Sequence, residues 1–136
     1  MKWIYCSRSK SPIHGENEMK DLEIIEYNGD GFKPLISSDG WRVAIVNACE
    51  RFLEKNLVRV ERHLETDEVF VLIRGNASLF IGNPGEKYNM EIGKCYNVKK
   101  GAWHCMSMME SSIVLIIEND NTGPENTEYK PFKPES

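Results

Sequence analysis

Three observations predict an all-β fold, either a sandwich or a barrel. Short stretches rich in β-branched and aromatic residues recur along the chain, and glycine-containing turns separate them. Some stretches alternate strictly between apolar and polar side chains, as half-buried strands do. Helical periodicity is almost absent, since only residues 48–56 (ACERFLEKN) would allow a couple of helical turns.

Composition limits the class of protein. The 136 residues, 40% of them hydrophobic, are enough for one packed domain spanning 1–136. A net charge of −4 disfavours a nucleic-acid partner, and no apolar run is long enough to cross a membrane. The first residues lack the apolar core of a signal peptide, so we expect a cytoplasmic protein.

No CxxC spacing occurs, and we interpret the cysteines as free thiols in a reducing compartment: Cys6, Cys49, Cys95 and Cys105.

The first half of the chain predicts an arm and two strand regions. Residues from about 7 to 20 are polar and contain proline and glycine, which is typical of an arm or loop. Residues 22–36 (LEIIEYNGDGFKPLI) predict a short strand followed by a turn at 28–31. The stretch beginning at Gly40 (GWRVAIVN) predicts another strand, and residues 50–56 predict a charged turn.

The second half is richer in strands. Residues 57–64 (LVRVERHL) alternate, with Val58 and Val60 on one face and three polar side chains on the other. Residues 68–73 (EVFVLI) and 77–82 (ASLFIG) flank RGN, which predicts a hairpin between them.

The remaining segments complete the predicted pattern. Residues 83–90 (NPGEKYNM) predict a turn, and residues 94–109 predict two short strands about the turn KKG. Residues 111–118 (SSIVLIIE) predict an apolar strand. The polar, proline-containing residues from about 119 to 136 predict a surface tail.

Four side chains able to bind a metal ion follow this strand pattern. Glu61 and His63 are two residues apart and therefore share a strand face. Glu68 begins the next strand after a four-residue turn, and a hairpin could return its carboxylate to that face. His104 follows a glycine turn farther along. This mixture of nitrogen and carboxylate donors suits zinc, manganese, iron(II) or nickel, so we expect a divalent metal ion as cofactor.

The spacing of these residues resembles that of the cupin superfamily. Residues 61–75 have the pattern E-x-H-x4-E-x6-G, similar to the first cupin motif, G-x5-H-x-H-x3–4-E-x6-G. Residues 93–108 have the pattern G-x5-K-x-G-x2-H-x3-M, similar to the second, G-x5-P-x-G-x2-H-x3-N. The resemblance implies a small single-domain cupin, which is a double-stranded β-helix or jelly-roll barrel with a central pocket. It also implies a homodimer, in which an edge strand at residues 3–5 pairs with the partner subunit.

The resemblance assigns the metal ligands with one departure. His63, Glu68 and His104 stand at positions that bind metal in metal-binding cupins, whereas Glu61 stands where the first histidine usually lies. A carboxylate can still coordinate, so Glu61 is retained as a ligand. Its other possible role is that of a general base, if the remaining three residues hold the metal. Outside the ligand set, lysine and methionine replace the proline and the asparagine of the second motif.

The same alternation predicts a ligand pocket. Arg59 shares a face with Glu61 and His63, and a cation facing the interior of a barrel needs an anionic partner. That partner is either Glu61 or a carboxylate of the ligand. The other predicted pocket positions serve as lining rather than as substrate selectors: Phe70, Tyr96, Met106 and Met108. Cys105 alternates away from His104, which disfavours a Cys–His nucleophile pair.

Two functions remain open from the sequence. The first is a metal-dependent enzyme acting on a small oxygen-rich metabolite, a sugar or a carboxylic acid, by isomerase, lyase or dioxygenase chemistry. The second is a binding module without turnover that holds such a molecule, with or without metal.

Overall fold

The computed structural model of the protein describes residues 14–18, backbone only, and residues 21–134. These residues form strands numbered in chain order: β1 His14–Glu18, β2 Glu23–Glu26, β3 Gly31–Ser38, β4 Trp41–Asn47, β5 Arg59–His63, β6 Glu68–Arg74, β7 Ala77–Ile81, β8 Glu86–Asn89, β9 Cys95–Val98, β10 His104–Met108, β11 Ile113–Asn119 and β12 Thr127–Pro131. The helical segments described are single 3-10 turns: Glu50–Phe52, Glu54–Asn56 and Pro124–Asn126. No helix in this part of the chain is long and apolar enough to cross a membrane.

Two five-stranded antiparallel sheets form the body of the fold. The first sheet has the order β12-β5-β10-β7-β8, and the second has the order β3-β4-β11-β6-β9. Strands β1 and β2 pair separately as a two-stranded ribbon. Successive strands therefore often belong to different sheets, as in a jelly roll. The all-β prediction and the jelly-roll architecture are confirmed.

The apolar core lies between the two sheets. Strands β7 and β10 supply it from the first sheet, and β4, β6, β9 and β11 supply it from the second. Its buried members, most of them at alternating strand positions, are Ala44, Val46, Phe70, Leu72, Ala77, Leu79, Met90, Val98, Met106, Met108, Val114 and Ile116. Burial of these side chains holds the sheets face to face, and the polar cluster described below also lies between them.

The predicted hairpin between residues 68–73 and 77–82 is wrong. Strand β6 pairs with β11 and β9, whereas β7 pairs with β10 and β8, so the two strands lie in opposite sheets. Both strands carry core side chains, such as Phe70 on β6 and Leu79 on β7. Because the two sheets face each other, the core side chains of β6 are buried against those of β7. A hairpin would place the two strands side by side in one sheet and would not bury these side chains against each other.

Gly75 makes the turn between these sheets. Its φ is +84°, a conformation that L residues rarely adopt. A Cβ at this position would lie 2.3 Å from Ser112 Oγ. That hydroxyl accepts a hydrogen bond from the Asn76 amide at 2.8 Å and donates one to the Asn76 carbonyl at 2.9 Å. The final glycine of the first motif is therefore required both by the backbone conformation and by close packing.

Two segments predicted to be irregular contain strands. The predicted turn at 83–90 includes β8, which pairs with β7. The predicted polar tail includes β12, which pairs with β5, and it buries Thr122, Asn126 and Thr127. Its polar groups are satisfied locally, since Asn126 donates to the Asn121 carbonyl and accepts from the Gly123 amide. The polar composition of this segment led to the prediction of a surface tail. Polar side chains can nevertheless be buried when they are hydrogen-bonded, as they are here.

The cysteine prediction is partly wrong. Cys95 and Cys105 are free, as expected, but Cys49 is disulfide-bonded. The absence of a short cysteine spacing in the sequence does not exclude a disulfide. The predictions for Cys6, for the edge strand at residues 3–5 and for most of the arm lie outside the described residues. Strand β1 falls within the expected arm, and the single-domain boundary stays a prediction.

Candidate metal centre

The four metal-capable side chains predicted from the sequence lie together between the sheets. Strand β5 supplies Glu61 and His63, and the adjacent strand β10 supplies His104, which is paired in register with Glu61. Glu68 comes from β6 in the facing sheet. One donor atom from each residue lies within 4.8 Å of the others. The convergence therefore arises from two sheets facing each other and not from the hairpin expected between β5 and β6.

The distances suit a shared metal ion. Glu68 Oε1 lies 2.8 Å from His104 Nε2 and 3.1 Å from His63 Nε2. Glu61 Oε1 lies 3.8 Å from His63 Nε2 and 4.0 Å from His104 Nε2. Two ligands bound to one ion at about 2.1 Å are separated by roughly 3 to 4.2 Å. The donor set and its spacing therefore fit a divalent cation with little rearrangement.

Both imidazoles are oriented by a second hydrogen bond. His104 Nδ1 donates to the Ala102 carbonyl at 2.9 Å, which leaves the Nε2 lone pair of a neutral ring directed at the cluster. His63 Nδ1 lies 2.9 Å from Thr127 Oγ1, and Thr127 is paired in register with His63 across β12 and β5. Metal-binding histidines commonly show this pattern, in which the outer nitrogen fixes the ring and its tautomer.

The cluster concentrates negative charge in a buried place. Burial opposes the ionisation of Glu68, but hydrogen bonds from His104 and His63 hold its pKa well below the usual range. Burial likewise lowers the pKa of each histidine, but the Glu68 carboxylate outweighs it and both pKa values are raised. The Glu68 carboxylate therefore needs a positive partner, which is either a protonated imidazole or a cation held by all four side chains.

Glu61 differs from the other three in its exposure. The side chains of His63, Glu68 and His104 are 6%, 5% and 3% exposed, whereas that of Glu61 is 36% exposed. Glu61 therefore lies at the edge of the cluster, with space beside it for another molecule.

A cavity of about 350 Å³ opens beside the cluster and is lined by all four of its side chains. Its size falls within the range of small-molecule pockets. Phe70 and Met106 line it as predicted, and the Phe70 ring packs edge-on against the His104 ring at 5.9 Å.

Two predicted pocket residues lie elsewhere. Met108 is fully buried in the core, one strand step too far along β10 to reach the cavity. Tyr96 packs beside the core on β9, and its hydroxyl accepts a hydrogen bond from the Glu91 amide at 2.8 Å. The alternation in the sequence indicated which side chains of each strand face inward. It did not indicate how far each of these side chains lies from the metal-binding cluster.

Arg59 lies at the exposed mouth of the cavity rather than inside the barrel. Its guanidinium carbon lies 4.2 Å from the centre of the Tyr129 ring. No carboxylate of the described residues lies within 4.0 Å of its nitrogens, whereas Arg42 and Arg62 both have such partners. Glu61 therefore does not neutralise Arg59 by a direct ion pair, although the sequence left that pairing open.

Cys105 lines the cavity together with His104, although the sequence pattern directed the two side chains apart. Burial, together with the nearby Glu61 carboxylate, raises the pKa of its thiol to about 12. A thiol that stays protonated is a poor nucleophile. The prediction that disfavours a Cys–His nucleophile pair stays a prediction.

A third carboxylate of the cavity, Glu118 on β11, and its partner Arg42 on β4 were not predicted from the sequence. Both line the cavity, and they are paired directly across the two strands. Burial and the nearby Glu68 carboxylate raise the pKa of Glu118 to about 7, although Arg42 opposes this shift. A signal was present, because Glu118 continues the buried alternation of Val114 and Ile116, and a charged residue at such a position is unusual.

Comparison with solved structures identifies the fold. KdgF from Halomonas sp. matches with a TM-score of 0.54 and 16% identity, covering 69% of this chain and 81% of that chain. A cupin-2 domain protein from Shewanella frigidimarina matches with a TM-score of 0.53 and 20% identity, covering 68% and 84%. Streptomyces Pac13, solved with uridine, matches with a TM-score of 0.56 and 10% identity, covering 79% and 84%. No protein-family model and no curated protein sequence matches the chain.

These findings define the class of protein as a cupin-fold barrel with a cluster of side chains able to hold a metal ion. At these identities the likeness establishes the fold alone, and the activity is argued from the site.

Proposed function

We propose that the protein is a small metal-dependent cupin enzyme acting on a small oxygen-rich metabolite, a sugar or a carboxylic acid. One observation carries the proposal: four donor atoms that could share an ion lie within 4.8 Å of one another beside a small-molecule-sized cavity. Buried clusters of titratable groups with shifted pKa values beside a cavity are typical of active sites.

Each side chain has a distinct proposed role. His63, Glu68 and His104 hold the ion, while Thr127 and the Ala102 carbonyl orient the two rings. A divalent ion bound there supplies Lewis acidity toward an oxygen of the ligand. The donor set suits zinc, manganese, iron(II) or nickel.

Glu61 is proposed as a weaker ligand or as the general base. Its carboxylate is more distant from the histidines than that of Glu68, and it faces the cavity side of the cluster. A carboxylate beside a bound substrate can accept a proton if it does not bind the ion. Phe70 and Met106 supply apolar lining on that side.

A small organic acid is the favoured class of ligand. Arg59, which lacks a carboxylate partner among the described residues, stands at the cavity mouth and can bind a carboxylate through two N–H groups. Structural neighbours lend support to small oxygen-rich ligands in general, since Pac13 is a nucleoside dehydratase solved with uridine. A homodimer and a cytoplasmic location stay predictions.

Metal analysis tests the proposal directly. Protein purified without added metal or chelator is measured by elemental analysis, with the His104→Ala variant as its control. We expect close to one equivalent of a divalent transition metal in the wild type and a large loss in the variant. Equal metal content in the two proteins would reject the site.

Turnover separates the enzyme from the binding module. Metal-loaded protein is incubated with panels of small hydroxy acids and sugars, and the mixtures are followed by NMR. Conversion that a chelator abolishes supports the enzyme. Ligand binding without conversion of any panel member supports the non-catalytic module.

A further inference from the structure

Glu118 is a buried carboxylate that the proposed metal centre does not use. It lies on β11, directly opposite Arg42 on β4, and its side chain is 2% exposed. Arg42 donates two hydrogen bonds to the same carboxylate oxygen, with Nε 3.1 Å and Nη2 2.8 Å from Glu118 Oε2. The carboxylate is therefore fixed in orientation through one oxygen only.

The other oxygen, Glu118 Oε1, has no hydrogen-bond partner among the described residues. It lies 4.0 Å from His63 Nε2, so it faces the proposed metal centre, and Glu118 also lines the cavity. Leaving a buried carboxylate oxygen unpaired costs substantial free energy. Such an atom calls for a partner, which is an ordered water, an ion or a group of a bound molecule.

Glu118 is not placed as a further metal ligand. The donor atoms that all lie within 4.8 Å of one another belong to the four residues already described, and Glu118 is not among them. We therefore place its partner next to the ion, in a molecule bound there. An ionised carboxylate only accepts hydrogen bonds, so the partner of Glu118 in that state carries a hydrogen on oxygen or nitrogen.

We propose that Glu118 is a substrate-binding residue whose Oε1 accepts a hydrogen bond from a hydroxyl group of the ligand, next to a ligand oxygen at the metal centre. This inference rests on the proposed function and narrows its substrate class to molecules with a hydroxyl beside a metal-binding oxygen, such as a 2-hydroxy acid. Arg42 is the positioning residue that directs Oε1 toward the ligand. Arg59 at the cavity mouth and Glu118 in the interior would then contact different parts of one molecule.

The purely structural alternative is that Glu118 only pairs with Arg42, or shares a proton with Glu68. Either arrangement would hold Glu118 in place without any ligand. Neither makes ligand binding depend on a hydroxyl hydrogen, and this difference is what the experiment measures.

The test compares two ligands that differ in that hydrogen. Binding of glycolate and of its methyl ether, methoxyacetate, to the zinc-loaded full chain is measured by isothermal titration calorimetry. Glycolate also chelates zinc better by itself, so the informative quantity is the ratio of the two dissociation constants in each variant. The variants are Glu118→Gln and a matched control, Glu128→Gln, whose exposed carboxylate pairs with Arg62 on the outside of the barrel.

We expect Glu118→Gln to lower the preference for glycolate by at least about tenfold, because a hydrogen bond to a charged group is lost. Arg42 must keep an acceptor, so the glutamine oxygen would face Arg42 and its NH₂ would occupy the Oε1 position. That NH₂ donates to the hydroxyl oxygen of glycolate and to the ether oxygen of methoxyacetate alike, so discrimination by the hydroxyl hydrogen is lost. Glu128→Gln should leave the ratio unchanged. A double variant, Arg42→Met with Glu118→Met, should lose the preference as well, and it covers the case in which Glu118→Gln folds poorly.

Three results would overturn the inference. The first is an unchanged ratio in Glu118→Gln, which assigns Glu118 a structural role. The second is loss of zinc from Glu118→Gln while the wild type retains it, which makes Glu118 a metal ligand. The third is equal binding of both acids by the wild type. Failure of the wild type itself to bind zinc is a separate outcome that rejects the proposed function.

Discussion

His104 on β10 directs its Nε2 atom to Glu68 Oε1 on β6 at 2.8 Å, which joins the two sheets across 36 residues of sequence. If both groups were in their ordinary unprotonated states, two lone pairs would face each other at this distance. A proton or a metal ion must lie between them.

Replacing the ligands one at a time ranks their contributions. We expect His104→Ala and His63→Ala to reduce metal affinity by more than about a hundredfold, since even the loss of an outer hydrogen bond to a ligand costs ten- to a hundredfold. Glu61→Ala should cost less, because Glu61 is more exposed and farther from both histidines. Metal titration with a competing chelator measures these affinities. Equal losses in all three variants would make Glu61 a full ligand.

The hydroxyl of Thr127 should support the metal through His63. Thr127→Val removes the group 2.9 Å from His63 Nδ1 with little change in volume. We expect metal affinity to fall by about ten- to a hundredfold while the fold is retained. Thr127→Ser keeps the hydroxyl and should bind metal almost as the wild type does. If Thr127→Val keeps full affinity, the outer contact to His63 is not needed.

Arg59 should select acids over uncharged ligands. In a thermal-shift screen of small carboxylic acids against matched polyols, with and without chelator, acids should stabilise the wild type more. Arg59→Gln should remove the difference because it removes the cation at the cavity mouth. Arg62→Gln is the matched control, since Arg62 pairs with Glu128 and does not line the cavity. An intact acid response in Arg59→Gln would exclude this role.

Without metal, the protein should be most stable at mildly acidic pH. The raised pKa values of His63 and His104 give stability that is present below their ordinary value of 6.5 and is lost as pH rises. The raised pKa of Glu118, about 7, acts in the same direction. The lowered pKa of Glu68 gives stability that is present above its ordinary value of 4.5 and is lost as pH falls.

Urea unfolding of chelator-treated protein across this range measures the effect. We expect the maximum near pH 4.5, because the contribution of Glu68 is complete above that value and the loss from Glu118 begins there, with a further loss from the histidines above 6.5. His104→Gln should weaken the loss on the alkaline side. A flat profile in the wild type would mean that these charges do not interact as described.

Gly75 should be far less tolerant of a side chain than Gly93. Both have positive φ, +84° and +91°, but a Cβ at Gly75 would meet Ser112 Oγ at 2.3 Å, whereas nothing lies within 4 Å of one at Gly93. Gly93→Ala should cost about 1–2 kcal/mol in the free energy of unfolding, for the backbone conformation alone. Gly75→Ala should cost roughly 2–5 kcal/mol, because steric overlap adds to that strain. Equal costs, measured by urea unfolding, would show that Ser112 moves away freely.

The sequence predicted the architecture and the four donors for a clear physical reason. Alternation fixes which side chains on β5 face inward, and the spacing to Glu68 and His104 matches that of a known fold. It did not predict which strands pair, because the short linker at residues 74–76 suits both a hairpin and a crossing between sheets. Arg42 and Glu118 were missed because they are 76 residues apart and meet only through the pairing of β4 with β11.

The polar segment before and within β12 was missed for a related reason. Its side chains are hydrogen-bonded inside the fold, so its composition does not distinguish it from a surface tail. The same limit explains the wrong pocket predictions for Tyr96 and Met108. The sequence pattern predicted that both side chains point inward, but it did not predict their position along the barrel.

The order of strands in each sheet determines when the candidate centre can form during folding. Strand β5 lies between β12 and β10, and β6 lies between β11 and β9, so the donor-bearing strands are flanked by segments from other parts of the chain. Pairing of this kind must close long loops and is slow. In a zinc finger the donors come from one short segment that folds around its ion. Here they meet only once both sheets are closed, so we expect the ion to enter a finished barrel, at a rate set by diffusion through the cavity mouth rather than by chain folding.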